Sequence, residues 1–127
     1  MALTNRRMLE LVLPWPPSIN HYWKHRVIGK RAQVYLSAEG VAFKKAVIDA
    51  VFVTAKKENV FDGRLSVELL LHPPTLRKYD IDNRIKSTLD AITNAGIWID
   101  DEQIDQLKVT RGEKVKGGEV IILIMDI

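Results

Sequence analysis

Clusters and alternations of apolar residues predict four β-strands in this chain. The four segments are residues 8–13, 65–72, 103–111 and 119–125. The Pro-Trp-Pro-Pro sequence that begins at Pro14 ends the first strand, because each proline fixes φ and removes a backbone donor. Pro73-Pro74 ends the second strand in the same way. Lys116-Gly117-Gly118 separates the last two strands, and it predicts a hairpin between them.

A helical spacing of apolar residues predicts an α-helix over residues 38–57. Ser37 directly precedes this helix and is a typical N-cap residue. Gly40, rather than a glutamate, stands three residues after Ser37, so the reciprocal capping box is missing. Residues 18–36, between the first strand and this helix, show little periodicity, and we expect a long loop there.

A second helix is predicted behind Asp82, which is its candidate N-cap. Ile85, Leu89 and Ile92 lie at positions i, i+4 and i+7 and therefore share one face of this helix. Gly96 supplies the C-terminal stop, because glycine readily adopts the conformation that ends a helix. The three residues after Gly96 are predicted to be extended.

The predicted elements follow one another in the order β-α-β-α-β-β. This order favours an α/β (α+β) fold in which a small mixed sheet packs against two helices. The chain has 127 residues, a length that fits one domain, and it contains no internal repeat or linker. We therefore expect residues 1–127 to form a single domain. With 46% hydrophobic and 28% charged residues, the composition excludes collagen-like and disordered chains.

The chain contains no cysteine. This excludes a disulfide scaffold, a thiolate metal site and a cysteine nucleophile. No apolar run approaches the roughly 20 residues that a membrane span needs, and the first residues lack the apolar core of a signal peptide. We therefore expect a cytoplasmic protein without a membrane partner.

The charged residues are unevenly distributed along the chain. Residues 80–105 contain seven acids against two bases, whereas the rest of the chain contains 17 bases and nine acids. No acid occurs between Glu10 and Glu39, an interval that includes Lys24, Arg26, Lys30 and Arg31. A basic body around an acidic pocket suits a polyanionic substrate held close to a bound cation. Chance clustering on a solvated surface is the alternative.

The acidic segment begins with Asp80-Ile81-Asp82, where a loop enters the second helix. In an extended segment, residues i and i+2 point to the same side about 7 Å apart, so both carboxylates can face one point. Two ionised carboxylates that share a site repel each other unless a cation lies between them. Because oxygen ligands suit hard cations, these residues predict a site for Mg²⁺ or Mn²⁺.

Chain geometry indicates a third carboxylate for this site. The helix is about 20 Å long, and an extended return after Gly96 covers about 17 Å, so Asp100 or Asp101 arrives near the level of Asp82. Alternation places these two aspartates on opposite sides of the returning segment, and the spacing leaves open which of them faces the site. Lys86 lies one helical turn beyond Asp82 and reaches the same region. Three carboxylates and one ammonium group are a typical composition for phosphoryl transfer.

The same acidic residues also allow a purely structural interpretation. Asp82 then serves only as a helix cap, and Asp80 is a turn residue. In this interpretation, Asp82 and Lys86 form a solvated ion pair four residues apart, which stabilises the helix by roughly a few tenths of a kcal/mol.

Residues 20–26 interleave bases with aromatic residues and contain no acid. Cations in such a segment contact phosphates, and Tyr22 or Trp23 can stack on an unpaired or splayed base. The alternative is that Trp15, Tyr22 and Trp23 anchor the loop to the core. Exposed loop histidines are seldom metal ligands, so His21 and His25 are not assigned to the metal site.

Four motifs together resemble the RusA family of Holliday junction resolvases. They are Leu13-Pro14-Trp15-Pro16-Pro17-Ser18 with Asn20, then Ser37-Ala38-Glu39-Gly40, then Asp80-Ile81-Asp82-Asn83 with Lys86, and finally Gly96-Ile97-Trp98-Ile99-Asp100-Asp101. The match covers most of the chain in the same order and at a similar length. The combination of LPWPPS, DIDN and a later W-x-D-D makes the resemblance specific.

The resemblance implies a homodimeric endonuclease that binds four-way DNA junctions and cuts two opposing strands symmetrically with Mg²⁺ or Mn²⁺. Such enzymes act in DNA recombination and repair and are often prophage-encoded. Position by position, it implies that Asp80, Asp82 and Asp101 are metal-binding catalytic residues and that Lys86 is the catalytic lysine. Asp100 matches a neighbouring acid, which we expect to lie behind the metal ligands. Some relatives carry a longer arginine run where this chain has Arg77-Lys78-Tyr79, so we expect a different DNA affinity or site preference.

The leading hypothesis is therefore a metal-dependent, structure-selective endodeoxyribonuclease of bacterial or phage origin. The predicted DNA-binding residues are Asn20, Tyr22, Lys24, Arg26, Lys30, Arg31, Arg77, Lys78 and Arg84. The second hypothesis is a non-catalytic protein that binds DNA junctions or duplexes, in which the acids only cap and the basic loop holds DNA. A third is a small-molecule phosphohydrolase, but neither a P-loop nor a G-x-G-x-x-G motif is present, and no nucleotide cofactor is expected.

Overall fold

The computed structural model describes residues 7–54 and 60–127 of the chain. The elements, in chain order, are β1 (Met8–Pro14), α1 (Ile19–Tyr22), β2 (Trp23–Ile28), β3 (Arg31–Leu36), α2 (Ala38–Thr54), β4 (Leu65–His72), α3 (Asp82–Asn94), a 3₁₀ turn (Asp101–Gln103), β5 (Ile104–Arg111) and β6 (Glu119–Asp126). The four strands and two long helices predicted from the sequence are all present. The last predicted residues of the first long helix, 55–57, lie outside the described residues.

Four strands form a mixed sheet in the order β1-β6-β4-β5. β6 runs antiparallel to both β1 and β4, whereas β4 and β5 are parallel. Every second residue of β4, from Leu65 to Leu71, is buried, and so are Val120, Ile122 and Ile124 of β6. This period of two places one face of each central strand in the core.

The predicted hairpin between the last two strands is wrong, although both strands exist. β4 lies between β5 and β6 in the sheet, so the last two strands do not pair with each other. The turn residues Gly117 and Gly118 do adopt positive φ values of 80° and 73°, a conformation that glycine adopts without steric cost. The connection therefore crosses over β4. β6 carries a row of buried aliphatic residues and takes a central position, whereas β5 is mostly exposed and lies at the edge.

The two long helices cover one face of this sheet. Phe43 and Val47 of α2 and Leu89 and Ile92 of α3 belong to the same buried cluster as the inward residues of β1, β4 and β6. The predicted packing of a small mixed sheet against two helices is therefore confirmed. None of the helices in the described part of the chain combines the length and the apolar character that a bilayer crossing requires.

The long loop predicted over residues 18–36 is wrong, because this segment contains α1 and the antiparallel hairpin of β2 and β3. Gly29 (φ 61°) stands in the tight turn between the two strands. From Lys24 to Tyr35 every residue is exposed. Neither face of the hairpin is buried, so its sequence shows none of the alternation by which a half-buried strand is recognised.

The N-cap predicted at Ser37 is confirmed, since the backbone N–H of Gly40 donates to Ser37 Oγ at 3.0 Å. The hydroxyl of Ser37 donates in turn to the carbonyl of His21. A Cβ atom at Gly40 would lie 2.6 Å from the carbonyl oxygen of Tyr22. Close packing of α2 on the end of α1 therefore explains why glycine, and not glutamate, stands at this position.

Candidate active site

Asp80 and Asp82 lie on either side of Ile81, at the point where the chain enters α3. Ile81 has φ −63° and ψ −34°, which are helical values. The prediction that this segment is extended is therefore wrong, while the convergence of the two carboxylates stays a prediction. Ile81 occupies the N-cap position and Asp82 lies inside the first turn, with no side-chain capping bond at this end. The predicted capping role of Asp82 is also wrong, and both aspartates are exposed at the start of the helix.

The 3₁₀ turn brings one of the two later aspartates to α3. Oδ2 of Asp101 lies 3.4 Å from Nζ of Lys86. Asp100, in contrast, is the N-cap of the turn, and its carboxylate accepts a hydrogen bond from the backbone N–H of Glu102 at 3.2 Å. The structure therefore distinguishes the two residues that the spacing left open. Asp101 contacts the lysine of α3, and Asp100 holds the turn in shape.

Gln103 connects this turn to the core. Its carboxamide oxygen accepts from the backbone N–H groups of Ile99 (2.8 Å) and Asp100 (3.0 Å). Its amide nitrogen donates to the carbonyl oxygens of Phe61 (3.1 Å) and Gly63 (2.9 Å). All the donor and acceptor positions of a primary amide are thus in use. Because Gln103 is buried, it determines where the backbone of Asp100 and Asp101 lies.

Arg64 fastens the same turn from the solvent side. Its guanidinium donates to the carbonyl of Glu102 at 2.7 Å and to the Asp105 carboxylate at 2.6 Å. The Arg64 hydrogen bond holds the pKa of Asp105 below its usual range, and Asp105 raises the pKa of Arg64. These side chains are exposed, so solvent and salt screen their attraction. Their main effect is to fix the position of the turn that carries Asp101, because Arg64 binds both the backbone of Glu102 and the side chain of Asp105.

The Pro-Trp-Pro-Pro segment holds α3 in place. Nη1 of Arg84 donates to the carbonyl of Pro16 at 2.6 Å, and Oγ of Ser87 donates to the carbonyl of Pro17 at 2.9 Å. The Arg84 guanidinium also lies over the ring of Trp15, 5.3 Å from its centroid. Burial lowers the pKa of Arg84. Arg84, predicted to contact DNA, thus anchors α3 in this structure.

Tyr22 is fully buried, and its hydroxyl donates to the carboxylate of Asp90. Burial, together with this hydrogen bond, raises the pKa of Tyr22. Asp90 also forms an ion pair with Lys44 at 3.5 Å. The prediction that Tyr22 stacks on a DNA base is therefore wrong, because its ring has no exposed face. The alternative, that the aromatic residues anchor this segment to the core, is confirmed for Tyr22.

The other predicted DNA-binding residues lie on two exposed surfaces. Asn20, Lys24, Arg26, Lys30 and Arg31 are exposed on α1 and on the β2–β3 hairpin, and Arg77 and Lys78 are exposed on the segment before Asp80. Arg26 lies over the ring of Tyr35 (4.8 Å) and donates from Nε to Gln33 at 3.0 Å. These contacts pre-order one cation of the hairpin, while its neighbours extend into solvent.

The predicted metal ligands do not form a complete cluster. Over residues 7–54 and 60–127, no group of three or more His, Asp or Glu side chains is arranged to hold a metal ion. The structure brings Asp101 to Lys86, while Asp80 lies before the N-cap of α3 and Asp82 lies in its first turn, both exposed. The donor set, which consists of carboxylate oxygens, fits Mg²⁺ or Mn²⁺ by its chemistry. A metal role for these residues stays a prediction.

Two residues of this region, Gln103 and Arg64, were not identified from the sequence. Asp100 and Gln103 form a capping box in which each side chain bonds the backbone of the other. Their spacing, an acid followed three residues later by glutamine, is a recognisable signal for such a box. Arg64 carries no comparable signal, because its partners are 38 and 41 positions away.

The fold and this site define a class of small α+β protein in which a lysine of one helix contacts an aspartate of the following 3₁₀ turn, with two further aspartates exposed at the start of the helix. Residues 14–125 match the model of a family described as endodeoxyribonuclease RusA. The chain belongs to the RusA endodeoxyribonuclease family.

Three relatives illustrate how far this similarity extends. The chain is 36% identical over 118 residues to a crossover junction endodeoxyribonuclease of Enterobacteria phage HK97. The aligned region covers 93% of this chain and 94% of the relative. It is 33% identical over 120 residues to the protein of the same name from Enterobacteria phage 82, with 91% and 92% covered. The Escherichia coli K12 protein of that name is 33% identical over 116 residues, with 91% and 92% covered. The resemblance inferred from the four motifs is confirmed.

Proposed function

We propose that the chain is an endodeoxyribonuclease that resolves four-way DNA junctions. The observation that carries the proposal is the contact between Lys86 and Asp101 at the start of α3. It brings together two of the four residues expected to perform the chemistry, in a chain that belongs to the RusA family. Relatives of phage and bacterial origin that are named as junction endodeoxyribonucleases support the substrate. They also support action in the cytoplasm of a bacterial cell.

The proposed catalytic residues are Asp80, Asp82, Asp101 and Lys86. The three carboxylates would hold Mg²⁺, with Mn²⁺ as a substitute, and the bound cation would supply positive charge and an activated water next to the scissile phosphate. The Lys86 ammonium would donate to a non-bridging phosphate oxygen, where negative charge grows during the reaction. A water oxygen forms the new bond to phosphorus and the bond to the 3′ oxygen breaks. The products are a 5′-phosphate and a 3′-hydroxyl.

The cationic surfaces are proposed to hold the DNA. Lys24, Lys30 and Arg31 of the β2–β3 hairpin and Arg77 and Lys78 before Asp80 are exposed. In this proposal they contact phosphates and position the strand, without reading its sequence. Binding should then weaken steeply as salt rises, because neutralised phosphates release their counterions.

We further propose that the active form is a homodimer. Two copies related by a twofold axis present two active sites to the two opposed strands of a junction. Symmetrical paired nicks follow from that arrangement.

Cleavage of a synthetic four-way junction tests the proposed function. The wild type in Mg²⁺ should nick two opposed strands, and Asp82→Asn should not. Asp49→Asn is the matched control, because Asp49 is an exposed aspartate of α2, and it should cut like the wild type. Equal nicking by wild type and Asp82→Asn would remove Asp82 from the chemistry.

A non-catalytic junction-binding protein is the second candidate. It is favoured by the incomplete grouping of carboxylates in the described residues together with the exposed basic hairpin. It requires salt-dependent junction binding, no cutting with any divalent metal and no change in affinity when Asp80 is neutralised. The same cleavage assay therefore separates the two candidates.

A further inference from the structure

A half-open cavity adjoins the candidate active site on the side of the chain that leads into Asp80. It encloses about 340 Å³ and lies between the Pro-Trp-Pro-Pro segment, the segment after β4 and the first turns of α3. The residues that matter for its chemistry are Trp15, Pro74, Arg77, Lys78, Tyr79 and Arg84. We name it the Tyr79 cavity. It is far larger than a single phosphate group, and its size is at the lower end of small-molecule sites.

Two polar atoms in the walls of the Tyr79 cavity lack hydrogen-bond partners. Within the described residues, the hydroxyl of Tyr79 and Nε of Arg84 are buried side-chain atoms without any partner. A buried polar group without a partner is destabilising, and native structures rarely leave one unexplained. Nη1 of Arg84 is already bonded to the carbonyl of Pro16, whereas Nε of the same guanidinium has no partner. Both atoms belong to side chains that line one cavity, so a ligand bound there lies next to two polar groups that the protein leaves without partners.

The charge of the Tyr79 cavity favours an anionic ligand. Arg77, Lys78 and Arg84 line it, and no carboxylate side chain does. None of these three cations takes part in the ion pairs of the described residues. Arg111 adds a fourth positive charge, because its guanidinium lies 4.2 Å from the centroid of the Tyr79 ring.

The apolar part of the wall favours a planar ring. Trp15 and Tyr79 contact each other edge to face with centroids 5.4 Å apart, and Pro73 and Pro74 line the same space. Cations beside aromatic and proline surfaces form the combination that binds a single nucleotide, since cations take the phosphate and the apolar surface takes the base.

We propose that the Tyr79 cavity binds one unstacked nucleotide of the junction strand, next to the bond that is cut. The phosphate lies on Arg77 and Lys78, and an acceptor on the base edge takes hydrogen bonds from the Tyr79 hydroxyl and Arg84 Nε. A base within a duplex cannot enter a cavity, whereas a base at a branch point leaves its stack at lower cost. Because Tyr79 directly precedes Asp80, the cavity would make cleavage depend on the sequence beside the cut. The inference rests on the proposed function, since it assigns a substrate subsite to that nuclease.

The first arm of the test measures base unstacking without cleavage. Wild-type protein in EDTA is bound to four-way junctions that carry 2-aminopurine at successive positions around the branch point. The fluorescence of 2-aminopurine rises when the base leaves its stack. A several-fold rise at one position beside the cut supports the proposal. Fluorescence that stays at the value of the unbound junction at every position overturns it.

The second arm uses Tyr79→Phe, which removes the unpartnered hydroxyl and keeps the ring, so the variant should fold with a melting temperature at least as high as that of the wild type. The 2-aminopurine signal should fall, and the ratio of cutting at preferred over other sites should drop at least about fivefold, the effect of roughly one hydrogen bond. Thr110→Val is the control, because it also removes one hydroxyl, at an exposed position of β5 outside the cavity, and it should retain both. An unchanged ratio and signal in Tyr79→Phe would overturn the proposal. Failure of the wild type to cut would contradict the proposed nuclease, while the fluorescence arm would still decide the cavity.

Discussion

Nζ of Lys86 lies 3.4 Å from Oδ2 of Asp101, although 15 positions separate the two residues in the chain. The chain reverses at Gly96, whose φ of 82° ends α3, and the 3₁₀ turn returns Asp101 to the level of the first turns of the helix. The Lys86 side chain is 59% exposed, so the pair contributes no more than about 1 kcal/mol to stability. The contact therefore matters for position, because it holds an ammonium group of α3 next to a carboxylate of the 3₁₀ turn.

Lys86→Met separates the catalytic role of this lysine from a structural one. Junction cleavage in Mg²⁺ should fall by about 10²–10³-fold, the usual effect of removing one group that stabilises transition-state charge. The free energy of unfolding should change by less than about 1 kcal/mol, because the ion pair is exposed. Single-turnover cleavage and urea unfolding measure the two effects. Lys45→Met, at an exposed position of α2, is the control and should leave both near wild type. A Lys86→Met variant that cuts at the wild-type rate would exclude a catalytic role.

Gln103→Glu tests whether the four hydrogen bonds of the Gln103 side chain hold the 3₁₀ turn in place. The substitution keeps the two acceptor bonds but removes the donors to Phe61 and Gly63 and places a charge at a buried position. We expect a loss of about 2–4 kcal/mol in the free energy of unfolding. Gln106→Glu makes the same change at an exposed site of β5 and should cost less than about 0.5 kcal/mol. Equal stability of the two variants would contradict this role of the Gln103 side chain.

Tyr22→Phe tests whether this tyrosine belongs to the core or to the DNA interface. Loss of the hydrogen bond to the Asp90 carboxylate should lower the free energy of unfolding by about 1.5–3 kcal/mol. Junction affinity should stay unchanged, because the ring has no exposed face. Urea unfolding and a binding titration at fixed salt measure the two quantities. Tyr35→Phe on the exposed hairpin provides the stability control. A Tyr22→Phe variant as stable as the wild type would contradict the role of this hydrogen bond, and weakened DNA binding would show that the hydroxyl belongs to the DNA interface.

The Arg64–Asp105 pair predicts a pH dependence of stability. The folded-state pKa of Asp105 lies below its ordinary value of 3.8, so the unfolded chain takes up the proton first as pH falls. The stabilisation is complete above pH 3.8 and is lost as pH falls through the lower folded-state pKa. Urea unfolding should therefore show wild type more stable than Asp105→Asn at pH 7, with the difference shrinking below pH 3.8. Added salt should reduce the difference in stability at pH 7. A difference that grows as the pH falls would contradict a stabilising ion pair between Arg64 and Asp105.

The parts of the fold that the sequence predicted well are those with one buried face. β4 shows a strict period of two, and α3 carries Ile85, Leu89 and Ile92 on one side, so burial is visible in the order of the residues. The β2–β3 hairpin is exposed on both faces and leaves no such pattern. The sequence also did not show which strands pair with β6. The apolar positions of a strand predict that one of its faces is buried, but they do not indicate which strand lies beside it.

The candidate site was predictable in its residues but not in its geometry. Alternation failed between Gly96 and Asp101, since Ile97 and Trp98 are neighbours and yet both are buried. Trp98 remains inside because its indole N–H donates to Thr93 at 2.6 Å, a contact between α3 and the returning chain. Only tertiary contacts of this kind decide that Asp101, and not Asp100, contacts Lys86.

The central claim is that Asp80, Asp82 and Asp101 share one divalent cation beside Lys86. Anomalous diffraction from crystals of the wild-type protein soaked in Mn²⁺ tests it most directly. We expect one strong peak at the start of α3, with an oxygen of each of the three aspartates at direct coordination distance, about 2 Å. Manganese bound elsewhere, or bound at α3 without Asp82 or Asp101, would contradict the claim.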